Sequence, residues 1–188
     1  MKKPAIFLDR DGVICKNRID HVKSWSEFQF LSEAKESLKI LAQLDCPIVV
    51  ITNQAAINRG MITTDIVEDI HRRMITEVET YGGRIDKVYY CPYRPDELND
   101  CRKPKSGMLI QAAQEMNIDL TQSYMVGDAA TDLMAGEAVG CKTFLVLTGR
   151  GKEQLAMINN KDITVSKPFT IVTDLYEFAM KVYRKSIT

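Results

Sequence analysis

Short apolar runs alternate with helical patterns along the whole chain, and this alternation is the feature that most constrains the fold. The strand-like runs cover residues 5–8, 48–51, 87–90, 124–126 and 143–147. Helical spacing of apolar residues follows within 33–44, 65–81, 109–116, 132–138 and 175–182. Strands that alternate with helices build a mostly parallel sheet covered on both faces. We therefore predict a single α/β domain over residues 1–188, a three-layer, doubly wound, Rossmann-like fold.

The composition excludes several classes of partner. Lys and Arg together number 25, as do Asp and Glu, so no global field attracts nucleic acid or a membrane surface. The apolar run before Asp9 is too short for a signal peptide, and no run is long enough to span a membrane. The five cysteines are odd in number and spread along the chain, which predicts free thiols in a reducing cytoplasm. We expect a monomer that acts on a small soluble molecule.

Two carboxylates follow the first apolar run directly. Asp9 and Asp11 are separated by one residue, and Gly12 then allows the chain to turn sharply. In an open α/β sheet, ligands bind at the carboxyl ends of the strands, which is where these acids lie. Two acids this close repel each other unless a cation or a shared proton relieves them. On their own they could equally be a solvated strand end.

Polar groups also follow the later strands, and the predicted sheet brings them to the same edge. Thr52 and Asn53 follow the second strand, Lys103 precedes the helix after the third, and Asp128 and Asp132 follow the fourth. Each has an ordinary explanation, such as a surface lysine or a helix cap. Together they indicate one site that combines acids with groups able to bind phosphate oxygens.

This set of groups fits phosphoryl transfer through a carboxylate. One carboxylate can attack phosphorus to form an aspartyl phosphate, and a second can protonate the leaving oxygen and later activate water. Because substrate and carboxylates are all negative, a hard divalent cation such as Mg²⁺ is needed. A lysine and a threonine can hold the transferring phosphoryl oxygens.

The motifs resemble, in order, those of the haloacid dehalogenase-like superfamily of phosphatases. The resemblance implies that Asp9 is the nucleophile and Asp11 the general acid/base. It also implies that Thr52, Asn53 and Lys103 bind the phosphoryl group.

The same resemblance implies a magnesium site. Its ligands would be Asp9, the backbone carbonyl of Asp11, and Asp128. Asp132 would support these ligands from behind.

A closer similarity is to the histidinol-phosphatase and heptose-bisphosphate-phosphatase family. It rests on the stretches 8–12, 52–54, 57–60, 89–92 and 101–104. Members of that family lack a large cap domain and release phosphate from small metabolites. The resemblance implies removal of the 7-phosphate from D-glycero-D-manno-heptose 1,7-bisphosphate, with Arg59 and Arg102 contacting the substrate.

The chain departs from that family in the long loop at residues 91–105. The family's structural zinc site uses a Cys-x-His pair and a Cys-x-Cys pair, but here Tyr93 and Asn99 stand at two of the four positions. Both are poor replacements for imidazole and thiolate. We predict a remnant of the loop that binds no zinc and is held by packing or hydrogen bonds.

Residues 13–31 also depart from the family pattern, beginning at Val13. This polar segment interrupts the strand–helix alternation and is either a flap over the strand ends or a plain surface loop. Because this divergent segment lies near the expected leaving group, the sequence does not determine which phosphate ester is the substrate. Histidinol phosphate is the first alternative and a polynucleotide 3′-phosphate the second, although the balanced charge counts against the latter. A non-catalytic phosphoacceptor module is a further alternative, but the spacing of Asp9 and Asp11 after the first strand counts against it.

Overall fold

The computed structural model describes residues 2–186, and within them it shows one six-stranded parallel sheet. The strands are β1 (Ile6–Leu8), β2 (Ile48–Asn53), β3 (Lys87–Cys91), β4 (Tyr124–Gly127), β5 (Lys142–Val146) and β6 (Thr170–Val172). Their order across the sheet is β3-β2-β1-β4-β5-β6. The five predicted strands are all present, and the prediction of a doubly wound α/β fold is confirmed.

Helices cover both faces of the sheet. They are α1 (Ala34–Leu41), α2 (Thr64–Thr80), α3 (Gly107–Met116), α4 (Ala130–Ala138), α5 (Gly151–Asn159) and α6 (Leu175–Ser186). Side chains of β1 alternate between two apolar clusters: Ile6 and Leu8 pack with α1, α2 and α6, whereas Phe7 packs with α3 and α4. This alternation follows from the two-residue period of a strand and gives the three layers.

Two elements have no counterpart among the sequence predictions. In β6 only Val172 is buried, and Ile171 is exposed, so the strand lacks the apolar run of a central strand. In α5 the buried residues are Gly151 and Gln154, so no apolar stripe marks the helix. Both elements lie toward one edge of the fold, where tertiary contacts rather than local pattern determine the structure.

The order of the strands determines where a ligand can bind. From β1 the chain winds outward through β2 to β3, and it then returns to β4 on the other side of β1. Strand order therefore reverses between β1 and β4, and the crevice at their carboxyl ends is the expected binding site of such a sheet. No helix within residues 2–186 is both long and apolar enough to cross a membrane.

The prediction of free thiols is wrong for two of the five cysteines. Cys91 and Cys101 form a disulfide, with their Cα atoms 5.6 Å apart. The loop after β3 folds back on the strand end, so residues ten positions apart in sequence become neighbours. Cys15, Cys46 and Cys141 are free thiols, as predicted.

Candidate active site

Asp9 and Lys103 form a buried ion pair at the carboxyl end of β1. Asp9 Oδ1 accepts hydrogen bonds from the Arg10 backbone N–H at 2.8 Å and lies 2.9 Å from Lys103 Nζ. The lysine also donates to the Ile51 carbonyl at 2.7 Å and lies 2.6 Å from Asp132 Oδ1. The ammonium group therefore lies among three oxygen atoms, and its positive charge is held against Asp9 and Asp132.

Three acids converge beside this lysine. Carboxylate oxygens of Asp9, Asp128 and Asp132 lie within 4.8 Å of one another. Asp128 Oδ2 accepts from the Arg150 backbone N–H at 2.8 Å and from Asn17 Nδ2 at 3.1 Å. The other oxygen, Asp128 Oδ1, is buried without a hydrogen-bond partner. An unpartnered buried carboxylate oxygen next to a second acid is a donor set that suits a hard cation such as Mg²⁺.

The pKa values of these acids reflect the same crowding. Burial raises the pKa of Asp9 to about 7, and the neighbouring acids add to the effect against the opposing charge of Lys103. Burial and the charge of Asp132 raise the pKa of Asp128 to about 6. A bound cation would favour the ionised form of both groups and so remove the cost of burying them.

Two glycines allow the backbone to approach Asp128 closely. Gly12 has a φ of +88°, and a Cβ atom there would lie 2.1 Å from Asp128 Oδ2. At Gly149 a Cβ atom would lie 2.2 Å from the same oxygen. Any side chain at either position would therefore displace the Asp128 carboxylate.

The Asp11 side chain has donor partners on both of its oxygens. Arg10 donates from Nε to Oδ2 and from Nη2 to Oδ1, both at 3.1 Å, and Gln54 Nε2 donates to Oδ2 at 3.2 Å. The Cys15 thiol donates to Oδ1 at 3.4 Å. Burial raises the pKa of Asp11, but the Arg10 charge and the hydrogen bonds from Arg10, Cys15 and Gln54 together outweigh burial and bring the pKa below its ordinary value.

Thr52 and Asn53, at the end of β2, contact other site residues. Thr52 Oγ1 accepts a hydrogen bond from Gln54 Nε2 at 2.9 Å, which leaves the hydroxyl hydrogen to be donated into the cleft. The Asn53 amide accepts from the Lys103 backbone N–H and donates to the Lys103 carbonyl, each at 3.1 Å. Asn53 thus anchors the segment that carries Lys103, while it also lines the cleft.

The cleft above these groups has a volume of about 490 Å³. Its walls include residues 17–19, 21 and 22, so part of segment 13–31 lies over the strand ends. The beginning of the same segment is core, since Val13, Ile14 and Cys15 are buried. The volume suits a small ligand such as a sugar phosphate.

Arginines make the rim of the cleft positive. Arg102 and Arg150 line the cleft, whereas Arg59 is exposed and is not among the residues that line it. Burial lowers the pKa of Arg102, and the charges of Arg59 and Arg150 lower it further, which places all three within electrostatic reach. An anionic substrate would relieve this repulsion.

The loop at residues 91–105 has its own internal connections. Besides the disulfide, Asn99 Oδ1 accepts from the Arg102 backbone N–H at 2.8 Å and lies 3.7 and 3.6 Å from the sulfurs of Cys91 and Cys101. Arg102 Nη1 donates to the Tyr93 carbonyl at 3.1 Å. These contacts hold the residues next to Lys103 in place.

Sequence reasoning did not find three residues that contribute to this site. Arg150 follows a strand, so the same strand-end rule that singled out Thr52 could have found it. Asn17 gave no signal, because nothing in a polar segment marks which amide will reach Asp128. The role of Arg10 was hidden, because an arginine between two acids is expected to face solvent.

Comparison with known proteins agrees with this geometry. A family model described as "HAD-hyrolase-like" matches residues 100–178. The D-glycero-beta-D-manno-heptose-1,7-bisphosphate 7-phosphatase of Pseudomonas aeruginosa is 38% identical over 155 residues, covering 82% of this chain and 87% of the relative. The enzyme of the same name from Neisseria meningitidis serogroup A is 34% identical and covers 94% of each chain.

A solved structure extends the similarity to three dimensions. The D,D-heptose 1,7-bisphosphate phosphatase of B. bronchiseptica, crystallised with magnesium and phosphate, superimposes with a TM-score of 0.90 at 33% identity. The match covers 98% of this chain and 99% of that one. The chain therefore belongs to the haloacid dehalogenase-like phosphatases, in the family that contains the heptose 1,7-bisphosphate 7-phosphatases.

Proposed function

We propose that this protein is a Mg²⁺-dependent phosphatase that removes the 7-phosphate from D-glycero-D-manno-heptose 1,7-bisphosphate. The observation that carries the proposal is the buried acid trio beside Lys103, with Asp128 Oδ1 left without a partner. The names of the similar enzymes support the choice of substrate.

Asp9 is the nucleophile in this proposal. Its Oδ1 is bound by Lys103 and by the Arg10 N–H, whereas Oδ2 accepts neither of these hydrogen bonds and is the oxygen that we assign to the attack on phosphorus. The P–O bond to the sugar then breaks, and an aspartyl phosphate forms on Asp9. Bound Mg²⁺, held by Asp9, the Asp11 carbonyl and Asp128, would neutralise phosphate charge.

Asp11 is the general acid and then the general base. It donates a proton to the departing sugar oxygen and later takes one from the water that hydrolyses the aspartyl phosphate. Its pKa is low in the free protein because the Arg10 charge and the hydrogen bonds from Arg10, Cys15 and Gln54 outweigh burial. A phosphate entering the cleft brings negative charge, which raises that pKa and favours uptake of the proton to be donated.

The phosphoryl group and the rest of the substrate contact different residues. Thr52 donates its hydroxyl to a phosphoryl oxygen, and Lys103, anchored by Asn53, supplies positive charge beside Asp9. Arg102 and Arg59 contact the remainder of the substrate at the positive rim. A second phosphate on the substrate suits this rim.

A phosphate-release screen tests the proposal. The purified protein with Mg²⁺ is offered both anomers of the heptose bisphosphate, histidinol phosphate, a 3′-phosphorylated oligonucleotide and other sugar phosphates. We expect the highest kcat/KM for a heptose bisphosphate, and no turnover after Asp9→Asn or with EDTA. A preference for histidinol phosphate would reassign the substrate, and no release from any ester would overturn the phosphatase itself.

We also propose that residues 1–188 act as a single-domain monomer in the cytoplasm. The single sheet, with α1, α2 and α6 packed on one face and α3 and α4 on the other, supports one folding unit. Light scattering on the purified protein measures the mass directly, and a single cooperative unfolding transition is expected.

A further inference from the structure

Arg10 lies between the two catalytic acids in sequence but is buried instead of facing solvent. Its relative exposure is 1%, and it is among the largest fully buried side chains of the described chain. Removing a guanidinium from water costs several kcal/mol unless its N–H groups find acceptors. The N–H groups of Arg10 therefore need acceptors within the protein.

Two nitrogens of the guanidinium contact both oxygens of the Asp11 carboxylate. Nε donates to Oδ2 and Nη2 to Oδ1, both at 3.1 Å, and Nη2 also lies 2.9 Å from Oδ2. A two-point contact between a planar cation and a planar carboxylate fixes the plane of the carboxylate as well as its distance. A lysine at this position has a single nitrogen and could not fix the plane of the carboxylate in this way.

Two further side chains hold the guanidinium itself. Gln54 Oε1 accepts from Nη2 at 3.1 Å, and His71 Nε2 lies 3.0 Å from Nη1. Because Nη1 can only donate, His71 must accept and is therefore neutral at Nε2. Gln54 Nε2 in turn donates to both Asp11 and Thr52, which closes a ring of side chains around the carboxylate.

His71 connects this ring to a helix outside the cleft. It lies on α2, is 5% exposed, and is not among the residues that line the cleft. Contact with α2 therefore braces Arg10 from the side opposite Asp11. Strand-end residues and a helix on the face of the sheet are in this way joined by one chain of hydrogen bonds.

We propose that Arg10, braced by His71, is a positioning residue that orients the Asp11 carboxylate toward the leaving-group oxygen. The inference rests on the proposed function, since it assigns Arg10 to the proton-transfer step of that reaction. Arg10 acts through Asp11 and not on phosphorus. In the formation of the aspartyl phosphate, the step that kcat/KM reports, its removal should therefore matter only when the leaving group needs a proton. A sugar alkoxide needs one, whereas a 4-nitrophenolate departs without it. The later hydrolysis of the aspartyl phosphate also uses Asp11 and is common to all esters, so it affects kcat for each of them.

Two phosphate esters separate this role from a structural one. The wild type, Arg10→Lys and Arg10→Gln are assayed with heptose bisphosphate and with 4-nitrophenyl phosphate. We expect kcat/KM for the sugar ester to fall about 100-fold, in the range of general-acid contributions, and kcat/KM for the aryl ester to change less than about threefold. The Lys variant should retain more sugar-ester activity than the Gln variant.

Variants of His71 keep the test decisive if Arg10 variants do not fold. His71→Leu removes the acceptor of Nη1 and should lower kcat/KM for the sugar ester about tenfold with little effect on kcat/KM for the aryl ester, a partial loss of the acid contribution. His71→Gln offers an acceptor oxygen and should recover part of that loss. Arg84→Lys is the matched control. Arg84 precedes β3, and its guanidinium donates to the Leu44 and Cys46 carbonyls instead of to a catalytic acid.

The outcomes distinguish the two levels of the proposal. Equal losses of kcat/KM for both esters in folded variants, or no loss for either, would overturn the role of Arg10 while leaving the phosphatase intact. An Arg84→Lys effect as selective as that of Arg10→Lys would also overturn it. A wild type that hydrolyses neither ester would instead refute the proposed function.

Discussion

Lys103 Nζ lies 2.9 Å from Asp9 Oδ1 and is held there by a loop that begins on a different strand. The lysine is 3% exposed, so the pair is screened from water and its electrostatic effect is large. Asp132, 2.6 Å away on the other side, shares the charge. The position of the lysine charge beside the nucleophile therefore depends on both strand ends and on helix α4.

Replacing Lys103 is expected to remove most of the activity. Lys103→Met keeps the length of the side chain but deletes the charge that faces the phosphoryl oxygens. We expect kcat to fall by about 10²–10³, the typical cost of losing one group that stabilises transition-state charge. Steady-state phosphate release measures the loss, with Lys105→Met, an exposed neighbour, as the control. Equal kcat values for the two variants would contradict the role of Lys103.

Asp128 is expected to determine the affinity for Mg²⁺. Asp128→Asn keeps the shape of the side chain but removes the negative charge beside the unpartnered oxygen. We expect the Mg²⁺ concentration for half-maximal activity to rise at least about tenfold, since one of few carboxylate ligands is lost. Activity and the unfolding midpoint are each measured as a function of Mg²⁺ concentration, and both report the affinity for Mg²⁺. Asp119→Asn is the control: Asp119 is half-buried, accepts from the Thr121 backbone N–H and does not line the cleft, so both values should stay unchanged.

The loop at residues 91–105 is expected to bind no zinc. Two of the family's four ligand positions carry Tyr93 and Asn99, and the two remaining thiols are bonded to each other. Disulfide sulfurs are not thiolates, so neither can act as a zinc ligand in this form. Elemental analysis after exhaustive dialysis should find no zinc bound to the protein. A stoichiometric zinc ion would show that the thiols are reduced and that other groups complete a site.

Cleavage of the disulfide is expected to destabilise the protein. The bond closes a loop over a sequence separation of 10, and a loop of this size stabilises the native state by about 2–3 kcal/mol in the chain-entropy treatment. Urea unfolding of Cys101→Ser should show a loss of that order. Cys46→Ser, which changes a half-buried free thiol, is the matched control. If a reducing agent left the wild-type midpoint unchanged, the disulfide would not contribute to stability.

Residues at strand ends were predictable because parallel strands place their carboxyl ends at one edge. Asp9, Thr52 and Asp128 could therefore be assigned to one site from spacing alone. Helices with an apolar stripe, such as α2, were equally clear. In contrast, β6 and α5 bury too few apolar side chains to give a periodic signal.

Contacts that depend on how loops and helices return to the sheet could not be predicted. The pairing of Cys91 with Cys101 requires the path of the intervening loop, and cysteine spacing does not give it. The contact between Arg10 and His71 joins β1 to α2 across 61 positions. Periodicity places His71 on a helix, but only the packing of that helix shows what its imidazole meets.

The buried imidazole of His71 is expected to make stability depend on pH. Burial and the adjacent Arg10 charge lower the pKa of His71 from its ordinary value of 6.5 to about 3. Below 6.5 the unfolded chain binds a proton that the folded protein does not, so stability falls as pH falls toward 3. Between pH 7.5 and 5.5 the His71 contribution to the free energy of unfolding should drop by about 1.4 kcal/mol. His71→Gln removes this dependence, and urea unfolding of both proteins at each pH isolates it, because the other titrating groups are common to both. Parallel pH profiles would show that His71 titrates normally and does not accept a hydrogen bond from Arg10.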